Sequence, residues 1–209
     1  MKIIPAILAH SQEVYDRQFE RACQISPLAQ IDITDRSYSR QPTRGIQFHL
    51  SGSKCKVIFH LMTYRPERTL GKYLAYKPGK IIVHAESVKN WAKLKGILKP
   101  EQLGIAINPR SSVSILRPHI ADADEIVVMT VEPGDSGREF QPKALSKIKD
   151  LLEYKKVIAV DGGINESTIE RARHAGASVA YVGSALLGKA DIKEAFNELK
   201  RGTSANKRP

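Results

Sequence analysis

The chain has 209 residues, 42% hydrophobic and 26% charged, a balance that suits one globular core and excludes disordered and fibrous classes. Its net charge is +11, from 33 basic and 22 acidic residues, but the basic residues are scattered rather than grouped with aromatics, so no nucleic-acid partner is expected. No apolar run nears the roughly 18 residues of a membrane span, and Cys23 and Cys55 are too few for a disulfide framework or a zinc site.

The N-terminal "MKIIPAILAHS" has a short apolar stretch broken by Pro5, which does not read as a secretory signal, so a reducing cytoplasm is the expected setting. From there, short β-branched runs alternate with amphipathic charged stretches. The strand-like runs are "KIIPAIL" (2–8), "AQIDIT" (29–34), "KVIFHLM" (56–62), "KIIVHA" (80–85), "LGIAIN" (103–108), "EIVVMTV" (125–131), "KVIAVDG" (156–162) and "SVAYVG" (178–183). Several are continuously apolar, as expected of a parallel sheet covered on both faces. Helical patterns lie between them. "SQEVYDRQFERACQI" starts at a Ser11 cap, "SVKNWAKLKGIL" at Ser87, and "NESTIERARHAG" runs from an Asn165 cap to a stop at Gly176. The second unit is irregular: between Asp35 and Val57, Pro42, Gly45 and Gly52 leave no convincing helix. Eight such units in this length predict a single-domain α/β fold, a closed (β/α)8 TIM barrel over 1–201, with a basic, unstructured tail at 202–209.

Catalytic groups of such a barrel sit at the C-terminal ends of its strands. Those ends carry Asp32 and Asp35, His60, His84 and Glu86, Asn108, the stretch Met129–Gly137, Asp161, and Gly183–Ser184. Two carboxylates and a histidine aimed at one mouth suit either a divalent metal or acid–base work. A carboxylate at Asp32, among Ile31, Ile33 and Thr34, is costly to bury unless it is paired or used. Glycine pairs follow the last two strands: Gly162 and Gly163 in "VDGGINEST", and Gly183 with Ser184 in "VGSALLG". Loops after strands seven and eight, leading into helix N-termini, form the usual phosphate cradle of these barrels. The sixth-strand loop, "VEPGDSGREF" with Gly134 and Gly137, suits a lid closing over the ligand.

The segments "IPAIL" (4–8), "IDITD" (31–35), "FHLM" (59–62), "VHAE" (83–86), "GIAINP" (104–109), "VMTVEPGDSGREF" (128–140), "VDGGI" (160–164) and "AGAS…YVGSA" (175–185) together resemble ribulose-phosphate 3-epimerase over nearly the full chain. The resemblance implies a (β/α)8 barrel of the pentose phosphate pathway that inverts carbon 3 of a ketopentose phosphate, turning D-ribulose 5-phosphate into D-xylulose 5-phosphate through an enediolate. It implies Asp32 and Asp161 as the acid–base pair. It also implies a divalent cation (Zn, Fe, Mn or Mg) held by Asp32, His60, Asp161 and a fourth side chain. Phosphate would lie near Gly162, Gly163, Gly183 and Ser184, helped by Gly134 and Gly137 of the sixth loop, with Met62 and Met129 lining the pocket. Relatives are commonly dimers or larger, so a homo-oligomer is carried over.

Departures concentrate at the second strand and the lid. The usual His-x-Asp is Gln30-Ile31-Asp32, which offers an amide oxygen that suits magnesium or manganese better than zinc or iron. Ala6 stands where a serine is usual, Thr34-Asp35-Arg36 replaces Met-Asp-Gly, and Asp135-Ser136-Gly137-Arg138 alters the lid. These leave open a sugar-phosphate binder without turnover, or a related barrel enzyme acting on another phosphorylated sugar. An orotidine-phosphate-decarboxylase-like site would need a lysine where Thr34 stands.

Overall fold

A computed structural model describes residues 1–43, 45–50 and 53–203. Eight parallel strands close into a barrel in chain order: β1 (Lys2–Ile7), β2 (Leu28–Thr34), β3 (Lys56–Met62), β4 (Lys80–His84), β5 (Leu103–Ile107), β6 (Glu125–Met129), β7 (Val157–Asp161) and β8 (Val179–Val182), with β8 pairing back onto β1. The expected strands stand within two residues of their predicted ends. Around them run α1 (Gln12–Ile25), α2 (Leu70–Leu74), α3 (Trp91–Lys95), α4 (Ser146–Leu151), α5 (Ile169–Ala175), α6 (Ser184–Leu187) and α7 (Ile192–Thr203). None of these is long and apolar enough to cross a membrane.

Alternation along each strand sorts the residues into two sets. One set, including Ile4, Ala6, Ile58, Ile82, Val127, Met129, Ala159 and Tyr181, packs inside the barrel. The other, including Ile7, Ile31, Phe59, Ile105 and Val160, meets the helices and forms the larger core. Gln30, Asp32, His60, His84 and Asp161 are buried polar exceptions within this scheme. In register, Asp32 pairs with His60 and Met129 with Asp161, so the polar groups share the upper end of the barrel.

Ser11 caps α1 through its side chain, and Gly176 ends α5 with φ at +110°, as the sequence predicts. Two helix starts differ. Asn90, not Ser87, caps α3, because its Oδ1 accepts from the Lys93 N–H. Asn165 organises the turn before α5, accepting from the Ser167 and Thr168 amides, and the helix proper begins four residues later. The second unit has no α-helix among its described residues. Phe48 of the "IQFHL" run covers the barrel instead, edge-on to Tyr15, Phe59 and Tyr76 at ring distances of 5.3, 5.2 and 5.4 Å. The fifth unit also lacks one: Pro109 opens the connection and Pro118 separates its two short 3-10 turns, Val113–Ile115 and Ile120–Asp122. At the other end, α7 continues through Gly202 and Thr203, past the expected boundary at 201, and residues 204–209 of the expected tail lie outside the described residues.

Candidate active site

A cavity of about 220 Å³ opens at the C-terminal end of the barrel. Its lining includes Asp32, His60, Met62, Met129, Gly134, Gly137, Asp161, Gly162, Gly163, Gly183 and Ser184. Every residue that the resemblance assigns to the site except Gln30 therefore faces one space, and Gln30 lies directly beneath it. The other strand-end candidates, Asp35, His84, Glu86 and Asn108, do not line the cavity. Because side chains alternate, a residue two positions before Asp32 points into the barrel one layer lower.

The polar centre is tightly connected. Gln30 Nε2 donates to Asp32 Oδ1 at 2.8 Å and to Asp161 Oδ2 at 2.7 Å. His60 Nδ1 lies 3.1 and 3.3 Å from the same two oxygens. The other carboxylate oxygens, Asp32 Oδ2 and Asp161 Oδ1, carry no hydrogen bond among the described residues, which leaves them to a ligand. At the end of β7, the Thr130 N–H and hydroxyl donate to the Asp161 carbonyl at 2.7 and 3.0 Å and fix that strand end.

Burial drives the Asp32 carboxyl up to about 6, helped by the charge of Asp161 and opposed by hydrogen bonds from His60 and Gln30. For His60, burial works against the charge, yet hydrogen bonds to Asp161 and Asp32 prevail and raise it to about 9. His84 goes the other way, well below the ordinary range, through burial and then the neighbouring His60 charge. These directions fix the protons. A charged His60 donates from Nε2 to His84 Nε2 at 2.9 Å, and neutral His84 donates from Nδ1 to Asn108 Oδ1 at 2.8 Å. Glu86 completes this wall by accepting from the Asn108 N–H at 2.9 Å. "VHAE" and "GIAIN" place His84, Glu86 and Asn108 at strand ends, but nothing in their spacing announces the relay. Asp35 is spent locally, accepting from the Ser37 and Tyr64 amides.

The loops follow from their glycines. Gly162 has φ at +100°, and a Cβ there would lie 2.3 Å from Val131 Cγ2, so the turn past Asp161 admits no side chain. The sixth loop is tied down across the mouth. Ser39 donates to Asp135 Oδ1 at 2.7 Å, Arg138 pairs with Asp135 Oδ2 at 2.6 Å, and Gly134 packs on the Tyr38 carbonyl. Arg138 also lines the cavity, a cation that the glycine pattern of the lid does not reveal.

Asp32, His60 and Asp161 offer ligand atoms that all lie within 4.8 Å of one another, a donor set that fits a divalent cation. Gln30 presents its nitrogen to this cluster, while Oε1, the end able to bind a cation, is buried without a partner.

Comparison with known proteins gives consistent results. The model of the ribulose-phosphate 3 epimerase family matches residues 2–187. A ribulose-phosphate 3-epimerase of Mycobacterium leprae is 30% identical over 186 residues, covering 84% of this chain and 83% of that protein. One from Bacillus subtilis is 31% identical over 68% of this chain and 69% of its own length, and one from Schizosaccharomyces pombe is 27% identical over 95% and 92%. Among solved structures, a 3-hexulose-6-phosphate synthase superposes with TM-score 0.65 over 98% of this chain and all of its own, at 17% identity. KGPDC from Streptococcus mutans gives 0.68 over 96% of each chain at 10% identity. At such identities these two show the barrel fold alone.

Proposed function

The chain belongs to the ribulose-phosphate 3-epimerase family, and on that premise we propose that it inverts carbon 3 of a ketopentose phosphate, interconverting D-ribulose 5-phosphate and D-xylulose 5-phosphate. The observation that carries this reading is the pairing of Asp32 and Asp161. They come from β2 and β7, meet across one cavity, and each keeps one oxygen free toward it.

Inverting a carbon next to a ketone requires a base on one face and an acid on the other. Asp32, held near 6, is matched to both duties at neutral pH. One group starts ionised and takes the carbon 3 proton on its free oxygen. The other starts as the carboxylic acid and returns its proton to the opposite face, so that the pair exchanges protonation states with each inversion. The charge that develops on the sugar oxygens is met by the buried, protonated His60 beneath them, a fixed cation in a low-dielectric site. A divalent cation held by Asp32, Asp161 and a His60 that has given up its Nδ1 proton would take the place of that charge and supply Lewis-acid polarisation of the same oxygens. Gly162, Gly163, Gly183 and Ser184 bring backbone amides to the cavity wall and suit the phosphate, while Gly134 and Gly137 let the sixth loop close over it. The net charge of +11 favours arrival of an anionic sugar.

The test is turnover of a panel of ketopentose and ketohexose phosphates followed by NMR. Formation of xylulose 5-phosphate from ribulose 5-phosphate supports the reading. Ligand-induced thermal stabilisation with no interconversion identifies a sugar-phosphate binder instead.

A further inference from the structure

Gln30 is fully buried and does not line the cavity, so it acts on a ligand only through its neighbours. Its amide nitrogen has two hydrogens, and the structure gives one to each carboxylate, at 2.8 and 2.7 Å. His60 Nδ1 approaches the same two oxygens from another side, at 3.1 and 3.3 Å. Two nitrogens and two oxygens thus alternate around a closed ring. Turning the amide over would replace the donor with an oxygen facing two carboxylate oxygens, three acceptors that share only the His60 Nδ1 proton. The chain instead leaves Oε1 buried and without a partner among the described residues, a cost that the bridge on the other end offsets.

We propose that Gln30 is a positioning residue, an amide clamp that holds the two carboxylates in one frame by donating a hydrogen to each, and that it is not a ligand for the cation the site would hold. The clamp draws two like charges together in a low-dielectric interior. It also decides which oxygen of each carboxylate is left for the substrate: Oδ2 of Asp32 and Oδ1 of Asp161. A cation is left with Asp32, His60 and Asp161. This inference rests on the epimerase reading, which it deepens.

Two variants test it, with Mn²⁺ affinity measured by calorimetry on chelator-treated protein, and kcat and KM measured on ribulose 5-phosphate. Gln30→Met keeps the length and removes the donor. The clamp predicts that kcat falls by about tenfold or more in both directions, with KM within about twofold and the Mn²⁺ Kd within about threefold of the parent. Gln30→Glu keeps the shape and adds a better ligand oxygen, and even when protonated it has a single hydrogen to give, so it cannot donate to both carboxylates. The clamp predicts that its kcat stays about tenfold down even at saturating Mn²⁺, whereas a ligand role predicts recovery. An unchanged kcat in Gln30→Met, a larger loss of Mn²⁺ affinity there, or recovery in Gln30→Glu overturns the clamp. If the parent protein turns over no ketose phosphate, the epimerase reading fails by itself, and the Mn²⁺ comparison in Gln30→Met still decides between clamp and ligand.

Discussion

Replacing Asp161 with asparagine separates chemistry from architecture. The asparagine oxygen can stand where Oδ2 now accepts from Gln30 Nε2 at 2.7 Å and faces His60 Nδ1 at 3.3 Å, so both contacts persist without the charge. Charge-assisted hydrogen bonds contribute roughly 1.5–3 kcal/mol and neutral ones about 1, so the two contacts together lose on the order of 2 kcal/mol. Relief of repulsion with Asp32 offsets part of this. At about 2–4 °C per kcal/mol for a chain of this size, Tm should move by no more than about 8 °C. Catalysis should suffer far more, because a positioned acid or base contributes roughly 10²–10⁴-fold, about 3–5 kcal/mol of barrier. Steady-state turnover of ribulose 5-phosphate beside thermal denaturation reads both quantities. Retention of more than about a tenth of the activity would refute the role given to Asp161. A collapse in Tm would refute the argument that asparagine reproduces its contacts.

Phe48→Ala removes the side chain that covers the barrel where the described residues of the second unit form no α-helix, and should cost about 3–5 kcal/mol, a Tm fall on the order of 10 °C. A negligible shift in differential scanning calorimetry would show that the loop is not structural cover. Gly134→Ala places a Cβ 1.9 Å from the Tyr38 carbonyl at a φ of +115°, so the sixth loop must lift off. KM should rise by about tenfold with little change in Tm, and an unchanged KM would remove the lid from the account. Stability should fall as pH rises from 6.5 through 9, because His60, raised to about 9, keeps in the folded state a proton that the unfolded chain has released. That contribution is complete below 6.5. Urea midpoints across this range should decline in the parent protein and stay flatter in His60→Gln. Equal slopes would disprove the protonation given to His60.

What the sequence reveals here is local, and what it hides is not. The β-branched runs mark eight strands, and the period of two carries the residues at their ends, Asp32, His60 and Asp161, to one mouth. The broken second unit is equally visible, because Pro42 and Gly45 disrupt any helical pattern. The role of Gln30 is hidden, since its partner Asp161 is 131 residues away and only barrel closure brings them together. A sequence suggests an amide oxygen there, whereas the structure turns the nitrogen to the carboxylates. The His60–His84–Asn108 relay depends likewise on the register of three strands. Phe48 looks like part of a stray strand until its three aromatic neighbours are assembled around it. The fifth unit misleads for the reverse reason: its connection has enough residues for a helix, but its prolines and short turns prevent one.

Proton exchange at carbon 3 tests most directly whether two acids from opposite walls act on one sugar. Ribulose 5-phosphate incubated with the protein in deuterated water should yield xylulose 5-phosphate carrying deuterium at carbon 3, with none entering carbon 1. Deuterium at carbon 1 alone, or epimerised product with its original carbon 3 proton intact, would contradict it.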